Sequence, residues 1–192
     1  MNHARSLHQR GSILYLTIAG VGLILLGAAA FILLTQPIAG KNNSGRVLTI
    51  PAAVNFPAPA LSLTDLDGNG VSLAERSGQV VLVNLWATWC PPCKKEMPAL
   101  EAYFQQHREQ GFVIVGINDG DPTADVKEFV SDYRLTFPIW LDPTYVATEK
   151  AFQTLNLPSS FVIDRKGIVR LRWVGEATVD MLEQYVTPII TE

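Results

Sequence analysis

The two cysteines of the chain, Cys90 and Cys93, lie within the stretch "WATWCPPCKKEMP" at residues 86–98, with two prolines between them. Thiols at this spacing suit three kinds of chemistry: a redox-active dithiol, part of a metal site, or a structural disulfide. A purely structural role is disfavoured, because a disulfide that closes so short a loop removes little entropy from the unfolded chain.

A metal site is also disfavoured. A structural zinc ion takes four protein ligands, commonly cysteine and histidine. The histidines of the chain are His3, His8 and His107, and the first two precede a long apolar segment at residues 13–34. We therefore predict no metal and no other cofactor.

A dithiol that exchanges with other proteins needs one partly ionised sulfur and a second sulfur close enough to resolve the mixed disulfide. The apolar run "VVLVNLW" at residues 80–86 predicts a buried strand, and a helical pattern follows it. Cys90 lies where the strand gives way to the helix, and free N–H groups and the helix dipole lower a thiol pKa there. Cys93 follows one turn later and is placed to resolve.

The surrounding elements alternate between strands and helices and predict an α/β domain. Strands at residues 80–86 and 112–118 flank the helix that begins near the prolines, which favours a parallel β-α-β unit. We further expect a hairpin that turns at residues 67–70, helices near 123–133 and 145–154, strands at 138–141, 160–164 and 168–174, and a last helix over about 178–189.

The N-terminal part of the chain predicts a membrane anchor. Residues 13–34 form an uncharged run of 22 residues, and a helix of this length spans about 33 Å. A cleavable signal peptide is the alternative, but its apolar region is usually about 7–15 residues long. We expect a cytoplasmic N-terminus at residues 1–12, a single transmembrane helix at 13–34, a linker at 35–55, and an extracytoplasmic domain at 56–192.

The predicted domain is acidic. From Phe56 onward the chain has 18 acidic and 11 basic side chains. Nucleic-acid partners favour a basic face, so this balance argues against them.

The segments "VVLVNLWATWCPPCKKEMPALE" and "LNLPSSFVIDRKGIV" resemble the thioredoxin superfamily, and within it the membrane-anchored TlpA/ResA-like thiol-disulfide oxidoreductases. The resemblance covers residues 56–192 and implies a thioredoxin-like fold, with a central mixed sheet flanked by helices. It also implies that Cys90 is the attacking cysteine and Cys93 the resolving one, and that Pro158 is a cis-proline facing the dithiol.

The same resemblance indicates where a substrate binds. A cis-proline at position 158 lets the backbone of Leu157 pair with an extended substrate segment. Trp89 shapes the surface around the attacking cysteine in this superfamily, and we assign Pro91 and Pro92 to that surface as well.

Glu96 is the candidate base for Cys93. Thioredoxin has a buried aspartate six residues before its first cysteine, whereas this chain has Asn84, which cannot titrate. Glu96 lies three residues after Cys93 on a neighbouring part of the helix surface, and the TlpA/ResA-like group has a functional glutamate at this position. The alternative is a first-turn acid that only favours the helix dipole.

The two prolines predict the direction of electron flow. Neither has an N–H group, so only later amides, such as those of Cys93 and Lys94, remain to stabilise a Cys90 thiolate. A less stabilised thiolate gives a more reducing pair. We therefore predict a membrane-tethered reductase of protein disulfides. The resemblance implies that a transmembrane dithiol carrier supplies its electrons.

The resemblance suggests apocytochrome c or the copper-site cysteines of an oxidase as substrates. Two other functions remain open at this point. A thiol peroxidase of the peroxiredoxin type shares the fold, although Ala87 stands where peroxiredoxins have threonine. A copper chaperone or a redox-silent docking module is the other possibility. The chaperone would need a distant histidine as third ligand, and His107 is poorly placed to supply one.

Overall fold

The computed structural model describes residues 50–192. Strand β4 (Val80–Trp86), which leads to the cysteines, lies inside an eight-stranded mixed sheet. All seven of its residues are buried, so both faces of the sheet are covered at this strand. It pairs in parallel with β5 (Phe112–Asp119) and antiparallel with β7 (Ser159–Ile163). The predicted parallel β-α-β pairing is therefore confirmed.

The remaining strands extend the sheet on both sides of this centre. They are β1 (Ala52–Pro57), β2 (Ser62–Asp65), β3 (Gly70–Ser72), β6 (Ile139–Asp142) and β8 (Ile168–Val174). The order across the sheet is β1-β8-β7-β4-β5-β6-β2-β3. Strands β2 and β3 form the predicted antiparallel hairpin, and β7 and β8 form a second one.

Helix α1 (Pro91–His107) connects β4 to β5 and carries Cys93. Its buried side chains recur at helical spacing and include Met97, Leu100 and Phe104. A short 3₁₀ turn (Arg108–Gln110) and a left-handed glycine at position 111 end the helix region. Helix α2 (Thr123–Tyr133) matches its predicted bounds and connects β5 to β6.

The helix predicted near residues 145–154 is shorter and of a different type. It is a π-helix over Val146–Ala151. The carboxylate of Asp142 accepts hydrogen bonds from the first two N–H groups of this helix, at 2.9 and 2.6 Å, and so fixes where it begins. Gln153 has a φ of +49°, which breaks the helical path.

The last predicted helix is divided in two, α3 (Val179–Tyr185) and α4 (Thr187–Ile190). Pro188 explains the break, because proline lacks the N–H that would continue the i to i−4 hydrogen bonds. The N–H of Val186 still bonds to the carbonyl of Leu182, and the turn then tightens so that the N–H of Ile189 bonds to the carbonyl of Val186.

Strand β1 was not predicted from the sequence. It begins at Ala52, inside the range predicted as a linker (residues 35–55), and pairs antiparallel with β8. The sheet therefore starts four residues before Phe56, where the predicted domain begins.

The predicted cytoplasmic segment at 1–12, the transmembrane helix at 13–34 and most of the predicted linker lie outside the described residues. Between residues 50 and 192, none of the helices combines the length and the apolar character needed to cross a bilayer.

Candidate active site

Cys90 and Cys93 are joined by a disulfide at the start of α1. Cys90 is the N-cap residue, with an extended backbone, and both cysteines are almost completely buried. The N–H of Cys93 donates to the sulfur of Cys90 over 3.3 Å. This contact places the sulfur of Cys90 at the positive end of the helix.

The N–H of Lys94 is not available to Cys90 in the way the sequence suggested. It donates to the backbone carbonyl of Cys90 over 3.1 Å and continues the helical ladder. Pro91 and Pro92 have no N–H to offer. Within residues 50–192, the N–H of Cys93 is therefore the one recorded hydrogen-bond donor to the Cys90 sulfur.

The predicted substrate-binding residues differ in exposure. The side chain of Trp89 is 66% exposed, which is unusual for a residue of this size. Pro91 is exposed and Pro92 is half-buried. Trp89 and the first residue of α1 thus present an apolar surface directly beside the disulfide.

The peptide bond between Leu157 and Pro158 is cis, as predicted. Ser159, the next residue, pairs with Leu85 near the end of β4. This register places Pro158 beside the carboxyl-terminal end of β4, the same edge of the sheet from which the chain continues to Cys90. The carbonyl of Pro158 accepts a hydrogen bond from the N–H of Gly175 at 2.8 Å.

Glu96 is completely buried. Its Oε1 accepts a hydrogen bond from Nδ2 of Asn84 at 2.8 Å, and its Oε2 accepts one from the N–H of Ala177, also at 2.8 Å. Burial raises the pKa of Glu96 to about 8, against the opposing effect of these two hydrogen bonds. The negative charge of Glu176 adds to the increase. A solvated first-turn acid would have neither the burial nor the partners.

Asn84 lies on β4 and joins Glu96 to β7. Its Nδ2 also donates to Oγ of Ser160 at 3.1 Å, whereas its Oδ1 is buried without a partner within the described residues. All three side chains are fully buried. The contact with Ser160 was missed, because the two residues are 76 positions apart and only the register between β4 and β7 brings them together.

A second carboxylate, on Asp121, holds the turn before Cys90. Its Oδ2 accepts hydrogen bonds from the N–H of Thr88 at 2.6 Å and from Nδ2 of Asn118 at 2.8 Å. The N–H of Cys90 closes this turn on the carbonyl of Ala87. This role of Asp121 is not predictable from the sequence, because nothing local to Asp121 indicates which N–H it will bind.

No three side chains among the histidines, cysteines, aspartates and glutamates of residues 50–192 come together in an arrangement suited to a metal ion. His107 lies at the far end of α1 and contacts Glu183 over 3.3 Å instead of approaching the cysteines.

Residues 54–172 match the AhpC/TSA family. The chain belongs to this family of the thioredoxin superfamily. It is a thiol-disulfide oxidoreductase.

Named relatives agree with this assignment. The chain is 34% identical over 170 residues to the thiol-disulfide oxidoreductase ResA of Bacillus thuringiensis (strain Al Hakam), covering 87% of this chain and 91% of the relative. It is 32% identical over 167 residues to ResA of Geobacillus kaustophilus, with the same coverage.

Solved structures agree as well. A thiol:disulfide interchange protein of the thioredoxin family from Chlorobium tepidum has a TM-score of 0.64 and 29% identity, over 72% of this chain and 99% of that one. The thioredoxin-like fold predicted from the sequence is thereby confirmed for the described residues.

Proposed function

We propose that this oxidoreductase is a membrane-anchored, extracytoplasmic reductase of protein disulfides. The observation that carries the proposed direction is that, among residues 50–192, one N–H group donates to the sulfur of Cys90, that of Cys93. Thiolates at helix N-termini are stabilised by such donors, and a weakly stabilised thiolate makes the reduced pair a better electron donor. Two prolines at the first helical positions remove the other donors.

The proposed cycle begins with the reduced dithiol. The Cys90 thiolate attacks one sulfur of a substrate disulfide, so that a Cys90–substrate bond forms and the substrate S–S bond breaks, releasing one substrate thiolate. Cys93 then attacks Cys90, which forms the Cys90–Cys93 disulfide and releases the second substrate thiolate. Two electrons pass from the dithiol to the substrate, and a dithiol donor must restore them.

We infer that Glu96 takes the proton of Cys93 before the second step. A base must have an affinity for protons close to that of the thiol from which it takes one. Burial raises the pKa of Glu96 to about 8, near the ordinary value of about 8.5 for a thiol. An ordinary surface glutamate would be a much weaker base.

The proposed binding surface consists of Trp89, Pro91 and Pro92 on one side and Leu157 and Pro158 on the other. An extended substrate segment would pair with the backbone of Leu157 and rest on the exposed indole of Trp89. The exposure of Trp89 and the cis bond before Pro158 support this assignment.

The membrane anchor at residues 13–34 and the domain boundaries remain part of the proposal. The 170-residue similarity to ResA is longer than residues 50–192 and so extends into the preceding segment. As partners we propose a transmembrane dithiol carrier as electron donor, and apocytochrome c or copper-site proteins as substrates.

Trapping the mixed disulfide tests the cycle. Cys93→Ser removes the resolving sulfur, so substrate proteins should remain attached to Cys90 and should appear on non-reducing gels as bands that a reductant removes. Cys90→Ser is the matched control and should trap far less. Absence of adducts in the Cys93→Ser strain at native expression would count against the mechanism.

The equilibrium potential of the Cys90–Cys93 pair, measured against dithiothreitol buffers, tests the direction. A reductase should have a potential near or below that of thioredoxin, about −270 mV. A potential near that of a disulfide-forming catalyst, about −120 mV, would reverse the assigned direction.

A further inference from the structure

Two buried asparagines, Asn84 and Asn118, each donate to a carboxylate, yet their amides are held differently. Nδ2 of Asn118 donates to Oδ2 of Asp121 over 2.8 Å, and its Oδ1 accepts the N–H of the same residue at 3.1 Å. Nδ2 of Asn84 donates to Glu96 and to Ser160, whereas its Oδ1 has no partner within the described residues. The amide of Asn118 is therefore held at both ends, and that of Asn84 at one end.

The recorded neighbours of the Glu96 carboxyl within residues 50–192 are both donors. Its Oε1 faces Nδ2 of Asn84, and its Oε2 faces the N–H of Ala177, each over 2.8 Å. Two donors suit a carboxylate, but the O–H of a protonated Glu96 needs an acceptor, and a buried O–H without one is costly. The backbone N–H of Ala177 cannot become an acceptor. The side-chain amide of Asn84 can, because its other end is an oxygen.

The hydroxyl of Ser160 has the same need. Its Oγ accepts from Nδ2 of Asn84 at 3.1 Å, and no acceptor for its own O–H is recorded in the part of the chain that the structure describes. A half-turn of the Asn84 amide exchanges Nδ2 and Oδ1, so that Oδ1 comes within hydrogen-bond distance of both Glu96 and Ser160. One end of the amide lacks a partner in either orientation, but the turn gives both O–H groups an acceptor.

We propose that Asn84 is a positioning residue of the reductase: its side-chain amide turns when Glu96 gains a proton, so that it donates to the carboxylate and accepts from the acid. This inference rests on the proposed role of Glu96 and explains how a buried site holds both forms of it. Glu96 can then take the proton of Cys93 without leaving the new O–H unpartnered.

The ionisable groups on the elements around Glu96 are Cys93, Lys94 and Lys95 on α1, Glu176 after β8, and Asp180 and Glu183 on α3. Cys93 is in the disulfide and does not titrate in the oxidised protein. The two lysines and Asp180 are exposed, Glu176 is half-buried, and Glu183 contacts His107 at the far end of α1. Strands β4 and β7 contribute the uncharged Asn84 and Ser160. A variant of Glu96 itself therefore identifies which group turns the amide.

The test measures an NMR NOE in the oxidised full-length protein, between the Nδ2 protons of Asn84 and the β protons of Ser160. The pH runs from about 6 to about 10, on both sides of the Glu96 pKa of about 8. The NOE should be strong at high pH and fall on the order of tenfold at low pH, because the turn moves Nδ2 away by roughly 2 Å, the separation of the two ends of an amide. Its midpoint should equal that of the Glu96 carboxyl ¹³C shift.

Two controls use the same protein. In Glu96→Gln, the N–H of Ala177 keeps the glutamine oxygen on its side, so Nε2 faces Asn84 as a permanent donor and the NOE should be weak at every pH. The NOE from Nδ2 of Asn118 to the β protons of Asp121 should stay constant, because that amide is held at both ends. A purely structural Asn84 would keep its NOE strong at every pH and in E96Q.

An NOE to Ser160 that stays strong through the Glu96 midpoint, or that varies with pH in E96Q as it does in the wild type, would overturn the inference. The rates at which wild type and E96Q resolve a Cys90 mixed disulfide separate this result from the proposed function. If the NOE switches and E96Q resolves as fast as the wild type, the inference holds and the role of Glu96 as base fails. If the NOE does not switch and E96Q resolves more slowly, the inference fails and Glu96 remains the base.

Discussion

The buried carboxyl of Glu96 should make the oxidised protein less stable as the pH rises from about 5 to 8. In the unfolded chain the group has its ordinary pKa of about 4.5, whereas burial raises the pKa to about 8 in the folded protein. Between these values the folded state holds one proton more than the unfolded state, so unfolding releases a proton. The contribution to stability is complete below pH 4.5 and is lost as the pH rises through 8.

The magnitude follows from the width of this window. One proton of difference corresponds to about 1.4 kcal/mol of unfolding free energy per pH unit. Across the window the total loss is about 5 kcal/mol, a large part of the stability of a single domain. Glu96→Gln removes the titrating group and should remove this slope.

Glutamine should be tolerated at this position. Its Oε1 can still accept the N–H of Ala177, and its Nε2 can donate to Oδ1 of Asn84 after that amide rotates, because Oδ1 has no other partner within the described residues. The replacement is therefore a matched control for the charge, with little change in packing.

The assay is urea unfolding of the oxidised protein at half-unit steps from pH 5 to 9, followed by the fluorescence of the buried tryptophans, Trp86, Trp140 and Trp173. The unfolding free energy of the wild type minus that of E96Q should fall by about 1.4 kcal/mol per pH unit. This difference should level off beyond pH 8.5. A difference curve that is already flat from pH 5.5 upward would refute the reasoning, since Glu96 would then ionise like a surface carboxyl.

Other variants test separate parts of the fold and the surface. Trp89→Ala should change stability by no more than about 0.5 kcal/mol, because the side chain is mostly exposed, yet lower kcat/KM for a protein disulfide more than for a small disulfide; equal losses on both would contradict the surface assignment. Gly120→Ala should lower the unfolding free energy by about 1–3 kcal/mol in urea titrations, because Gly120 has a φ of +85° and a Cβ would overlap the ring of Tyr145. Gly70→Ala, which meets open space, is its control and should cost less. Asp142→Ala should cost about 2–4 kcal/mol by leaving two N–H groups of the π-helix without acceptors, while the dithiol potential stays unchanged; a shifted potential would show that the π-helix affects the cysteines.

The centre of the fold was predictable because its signals are local. Strand β4 is a continuous apolar run, and α1 begins with two prolines and is followed by a glycine, so both elements lie where the sequence indicates. Strand β1 gave no such signal: none of its six residues is fully buried, and it pairs with only one neighbour, β8. An edge strand of this kind is defined by its partner more than by its own pattern.

The candidate site also has a part that local sequence predicts and a part that it does not. The spacing within one helix was enough to bring Glu96 near Cys93. Its burial could not be read from that spacing, because the groups that cover and bind it come from β4 and from Ala177, which is 81 residues further along the chain. A glutamate on a helix surface is solvated by default, and only the tertiary packing buries Glu96 and so raises its pKa.

In the proposed cycle the two prolines act on the first cysteine, Cys90, and the buried glutamate acts on the second, Cys93. With Pro91 and Pro92 at the start of α1 and the N–H of Lys94 bonded to the backbone, the Cys90 sulfur has one N–H donor within the described residues, which supports the proposed reducing direction of the pair. The proposed cycle also requires Cys93 to lose its proton before it attacks Cys90. We propose Glu96 as the base for this step, buried and held by hydrogen bonds from Asn84 and Ala177. We therefore expect a strongly reducing potential and a buried carboxyl of raised pKa to occur together. A dithiol whose thiolates are weakly stabilised has the reducing potential, and its resolving cysteine requires a base.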